Sequence, residues 1–111
     1  MSRAKVAKPL ATATRVCVEG ELTIYRAMEL KRALLEPLES KNAVEIDLSR
    51  VTELDTSGVQ LMLLAQRTAA AKELELRFVD HSPAVVEVLA LLNLGASLGL
   101  GASEATARGA L

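Results

Sequence analysis

Aromatic residues are almost missing from this chain: it has no tryptophan, and Tyr25 and Phe78 are its only aromatic side chains. That removes the stacking platforms on which single-strand nucleic-acid binders lay bases, and it leaves the core to aliphatic side chains. Neither sign of charge dominates. The 13 Lys and Arg are balanced by 14 Asp and Glu, a formal net charge of -1, so no strong field exists to gather nucleic acid or an anionic membrane surface. No apolar run approaches the ~18 residues that a membrane-crossing helix needs. The opening stretch MSRAKVAKPL has no signal-peptide character either. These absences predict a soluble cytoplasmic protein with no nucleic-acid partner and no direct membrane insertion.

Cysteine and histidine occur once each. Cys17, between Val16 and Val18, cannot close an internal disulfide and suits a reducing compartment; on a buried strand it reads as a small core hydrophobe. His81 alone excludes an intrachain histidine pair for a metal and leaves a Ser-His arrangement without a supporting motif, so it reads as part of a pre-helical turn. No GxGxxG, GxxxxGK[ST], CxxC or HExxH spacing is present. No cofactor, metal ligand or catalytic residue is therefore assigned. Glu53 and Asp55 stand two apart, a spacing that acid/base pairs share with ordinary solvated loops.

What is present is an alternation of strand and helix patterns in a chain of 111 residues, the size of one domain. The domain is expected over 1–94, with 1–9 as a lead-in and the Gly/Ala-rich 95–111 as a partly ordered tail. Thr14 to Glu19 alternates as a strand that Gly20 closes in a GEL turn. Thr23 is the expected cap of a helix from Ile24 through Leu35, with Ala27, Leu30 or Lys31, Leu34 and Leu38 as its buried stripe and Pro37 ending or kinking it.

Val44, Ile46 and Leu48 alternate with Glu45 and Asp47 in a strand expected to end near Ser49. A helix then starts close to Ser57 and runs to Lys72, because VQLMLLAQRTAAA is rich in helix formers and lacks internal Gly or Pro. Leu74, Leu76 and Phe78 mark a further strand, with Glu75 and Arg77 opposite. Ser82 as cap and Pro83 at the first helical position open a last helix through Leu92, with Val85, Val88 or Leu89, and Leu92 facing inward, stopped by Asn93 or Gly95. Strands alternating with helices imply β-α-β crossovers and an at least partly parallel sheet.

The corner Asp55-Thr56-Ser57-Gly58 joins the central strand to its helix. Ser57 there reads as the N-cap, and Gly58 as the residue that allows a tight turn and leaves the corner uncovered. DTSGVQLML after a strand resembles the D-[ST]-[ST]-G corner of STAS domains, the fold of bacterial anti-sigma factor antagonists. GELTIYRAMELK at Gly20 to Lys31, VEIDLS at Val44 to Ser49 and HSPAVVEVLALLNL at His81 to Leu94 fall in that family's order, so the resemblance spans roughly residues 10 to 94.

The resemblance implies an α/β fold with a mixed, partly parallel sheet of about four to five strands and three to four helices packed against it. It also implies a non-enzymatic bacterial regulator. Ser57 would be the phosphoacceptor, with Thr56 the runner-up and Asp55 and Gly58 completing the switch motif. Glu21, Thr23, Tyr25 and Arg26 would join the partner surface, the plain reading of Tyr25 and Arg26 being a half-buried ring and a solvated charge. The implied partners are an ATP-binding serine kinase that acts as an anti-sigma factor, and a cognate phosphatase.

Thr23 stands where anti-sigma antagonists often carry Asp, which makes GELTIY more similar to stand-alone STAS proteins of other signalling systems, chemotaxis included. Two further functions stay open. One is a constitutive subunit docked on an ABC transporter ATPase, with Ser57 only a cap. The other is a small-ligand or nucleotide sensor that uses the helix N-terminus as an anion site.

Overall fold

A computed structural model describes residues 13–99; the lead-in and the tail beyond Gly99 lie outside the described residues. Within them β1 (Thr14–Leu22), α1 (Ala27–Leu35), β2 (Val44–Leu54), α2 (Thr56–Ala71), β3 (Leu76–Val79) and α3 (Pro83–Leu91) follow in turn, with 3-10 turns at Ile24–Arg26, Glu36–Glu39 and Ala96–Leu98. The three strands form one parallel sheet in the order β1-β2-β3. Helices α1 and α2 supply the crossovers that parallel neighbours require. The α/β architecture is the expected one, with three strands among the described residues where about four to five were anticipated.

Register divides the sheet into two unlike faces. Val16, Ile46 and Phe78 are aligned across the strands, as are Arg15, Glu45 and Arg77, and neighbours along a strand point to opposite sides. The first set belongs to one aliphatic core with Leu30 and Leu34 of α1, Val59, Met62 and Ala65 of α2, and Val85 and Leu89 of α3. Leu98, beyond the last helix, is fully buried in the same cluster. The opposite face is polar: Arg15 bonds Glu45 at 2.7 Å, Asp47 at 3.0 Å and Asp80 at 2.8 Å. Among the described residues no helix is long and apolar enough to cross a membrane.

Several local expectations are corrected by this arrangement. Cys17 is exposed rather than buried, because Val16 faces the core and its neighbour on the strand must face the polar side. β1 does not close at Gly20, nor β2 near Ser49. Both continue, to Leu22 and Leu54, through register shifts at Cys17/Glu19 and Gly20/Glu21. Gly20 takes a φ of +84° at that irregularity, a left-handed conformation that glycine adopts without steric cost. Past Leu48 the buried positions of β2 are Val51 and Leu54, so the two-residue alternation that marks a strand is lost there.

Thr23 does not cap a helix, and its hydroxyl is buried without a partner. The chain instead enters α1 through a 3-10 turn. Ser82 does cap α3, accepting from the Val85 amide at 3.3 Å, with Pro83 behind it as expected. Leu92 faces outward rather than inward, since α3 ends at Leu91 and Asn93, with φ of 58°, turns the chain away.

Candidate functional site

The corner between β2 and α2 is built on Asp55. Its backbone is extended, and its Oδ1 accepts from the Gly58 amide at 3.0 Å, so Asp55 and not Ser57 caps α2. Its Oδ2 accepts from the Ile24 amide at 3.1 Å, while the Asp55 amide donates to the Leu22 carbonyl at 3.2 Å. One residue thus ties the start of α2 to the end of β1 and to the turn that follows it. Burial pushes the Asp55 carboxyl up, but the amides of Gly58, Ile24 and Ser57 outweigh it and hold the group below its ordinary value.

Gly58 is buried, contrary to the open corner expected for it. A Cβ there would collide with the Leu22 carbonyl and stand 2.7 Å from Leu54 Cδ1, so its absence is what lets α2 sit on the strand ends. Thr56 and Ser57 lie between these two anchors, in the first turn of α2. Thr56 is exposed and Ser57 partly so. With Asp55 as the cap, the Ser57 hydroxyl has no capping duty at the end of the helix that carries free amides and partial positive charge.

The turn after β1 stands beside this corner. Arg26 is partly buried, not a freely solvated charge. Its Nη1 donates to the carbonyls of Glu19 and Glu21, each at 2.9 Å, and its Nε to Glu29 at 3.1 Å, which clamps the Gly20 irregularity. The bond to Glu29, with the field of Glu21 and Glu19, outweighs burial and raises the guanidinium above its ordinary value. Tyr25 is 90% exposed, in place of the half-buried ring expected.

A groove of about 580 Å³ runs from this turn to α3, lined by Glu21, Thr23, Tyr25, Glu53, Asp55 and Glu87 among others. It brings together three of the four residues expected on a partner surface and leaves Arg26 out; Thr56, Ser57 and Gly58 do not line it. Thr52, Leu54, Ala84 and Val88 complete its walls. Ala84, Glu87 and Val88 carry no signal in the sequence, since α3 reaches the groove only through the fold.

Over residues 8–100 the sequence matches the family described as "Mlab, STAS domain". No curated protein sequence matches the chain. Among solved structures it is similar to the anti-sigma factor antagonist SpoIIAA in its unphosphorylated form, with a TM-score of 0.63 and 20% sequence identity over 89% of each chain. At that identity the likeness is one of fold. A family match over most of the chain, on a sheet and corner of this construction, makes the protein a member of the STAS domain family.

Proposed function

We propose that this STAS protein is a non-enzymatic regulator that docks on a protein partner over the corner at the start of α2 and is released when Ser57 is phosphorylated. The observation that carries the reading is the division of labour at the corner: Asp55 caps the helix and anchors it to Leu22 and Ile24, which leaves the Ser57 hydroxyl free of structural work. A phosphate on Ser57 adds roughly -1.5 to -2 charge. The amide-rich end of α2 tolerates that charge, so the fold survives. A partner closed over the corner would have to desolvate it beside Asp55, so the contact does not survive. Thr56, the more exposed neighbour, is the second-choice acceptor.

In this reading the partner is an ATP-binding serine kinase of the anti-sigma type and a phosphatase restores the docked form, in a bacterial cytoplasm. The test is to incubate the purified protein with ATP and lysate of its source cells, map phosphate by peptide mass spectrometry, and compare Ser57→Ala. Capture on wild-type and Ser57→Asp baits follows. Phosphate on Ser57 and a partner held only by the wild type are expected. An unmodified protein, or a partner that binds Ser57→Asp as tightly as the wild type, would sink the proposal.

A further inference from the structure

The groove beside the corner is lined by the acidic side chains of Glu21, Glu53, Asp55 and Glu87, and by no Lys, Arg or His among the described residues. Asp55 is engaged by the amides of Gly58 and Ile24, whereas Glu21, Glu53 and Glu87 enter no ion pair among the described residues. These carboxylates do not converge as a metal-binding group; they are spread along the walls. Thr23 also lines the groove. It is only 8% exposed, and its Oγ1 is buried with no hydrogen-bond partner. A buried hydroxyl left unpaired is costly, so an incoming polar atom that reaches it is favoured.

The groove also has apolar edges. Val85, Val86 and Leu89 of α3 are buried in the core, while Ala84, Val88 and Leu91 follow one another at i, i+4 and i+7 on the other side. Ala84 and Val88 line the groove and Leu91 is 76% exposed. A helix apolar on both sides belongs between two packed partners, and among the described residues α3 packs into the core on one side only. Across the groove Tyr25 offers a second apolar edge.

We infer that this groove is the docking site of a protein segment that presents arginine or lysine side chains between apolar ones. Its cations meet Glu21, Glu53 and Glu87, a polar atom meets the Thr23 hydroxyl, and its apolar side chains cover Val88, Leu91 and Tyr25. Nucleic acid and anionic membranes carry the wrong sign of charge. A second copy of the chain, docked face to face, would set the same carboxylates against each other. The inference rests on the partner-docking reading above but not on phosphorylation, because Ser57 is not on the groove wall. A phosphate there opposes a partner broad enough to close over the corner and leaves the pairs inside the groove intact.

The test is a display library of random dodecapeptides selected on the wild type and on a Glu53→Lys/Glu87→Lys variant. Both substituted positions are exposed, and circular dichroism verifies that the variant is folded. The expected peptides combine Arg or Lys with Leu, Ile or Phe, bind the variant about tenfold or more weakly, and lose affinity as salt rises. They shift the amide resonances of Thr23, Tyr25 and Glu87, weaken on Leu91→Ser, and bind Ser57→Asp as they bind the wild type. Acidic or uncharged winners, equal binding to the lysine variant, or shifts centred on Glu45 and Asp47 would overturn the inference. So would self-association of the wild type that Leu91→Ser abolishes. Indifference of the whole partner to Ser57→Asp, with peptide docking intact, would remove the phosphoswitch and retain the groove.

Discussion

Gly58, in the first turn of α2, packs so tightly on the main chain of Leu22 at the end of β1 that even a methyl group on its Cα would strike the Leu22 carbonyl. The same carbonyl accepts the Asp55 amide at 3.2 Å. The switch corner and the turn bearing Thr23 and Tyr25 are therefore one rigid unit, and changes at either place are felt at the other.

Gly58→Ala is expected to destabilise the protein by about 3 kcal/mol through overpacking. The atoms that crowd the site are a backbone oxygen and the buried Leu54 side chain, so neither can swing away cheaply. Urea unfolding of the variant measures it, and a loss below about 0.5 kcal/mol, the range of an ordinary surface change, would mean that α2 can slide off the strand ends.

Ser57→Ala should leave stability within about 0.5 kcal/mol of the wild type, because the side chain is not the cap. Asp55→Ala should cost about 1–2 kcal/mol, as it removes the acceptor for both the Gly58 and Ile24 amides. Thermal melts of the two variants side by side decide it; the reverse order would restore Ser57 as the cap.

Acid sensitivity tests the Asp55 carboxylate itself. Its folded pKa is held below the ordinary 3.8 by backbone amides that outweigh burial. A group with a depressed folded pKa contributes stability above its unfolded value and loses it as pH falls through the folded value. Asp55→Asn, which keeps a capping side chain without the charge, should therefore show a shallower stability loss than the wild type from about pH 4 downward. Equal acid limbs in urea titrations at neutral and acid pH would exclude Asp55 as a contributor.

Cys17 should react with a thiol reagent such as a maleimide in the native protein, at full stoichiometry and without denaturant, since it lies exposed on the polar face of the sheet. Protection until unfolding would place it back in an interior.

Removing Arg15 leaves Glu45, which is buried, without its 2.7 Å partner. Arg15 is half exposed, which tempers the cost, so Arg15→Met should be less stable than the wild type in urea unfolding by a modest margin. Pairing it with Glu45→Gln should recover part of that loss in a double-mutant cycle. Strict additivity would show the pair to be energetically silent.

Much of the fold was legible in patterns that span a few residues. Apolar alternation at Val44, Ile46 and Leu48, the stripe of Leu30, Leu34 and Leu38, and the Ser82-Pro83 start of α3 each arise from chain geometry that a local sequence imposes. All six of those apolar residues are buried in the structure. The acidic corner and its neighbours could likewise be located by their order along the chain.

The tertiary structure decided what each corner residue does. Asp55 caps α2 by a bond three residues along the chain, but its second oxygen also holds the Ile24 amide, 31 residues away, and only the fold brings that amide there. Gly58 is required because another strand's carbonyl presses on it, a reason that no local turn rule contains. Cys17 fell to the outer face because only one side of the sheet belongs to the aliphatic core, and the acidic groove exists because α3 returns to the end of β2. Contacts between distant segments depend on how layers pack, and periodicity along one segment carries no record of the element that packs against it.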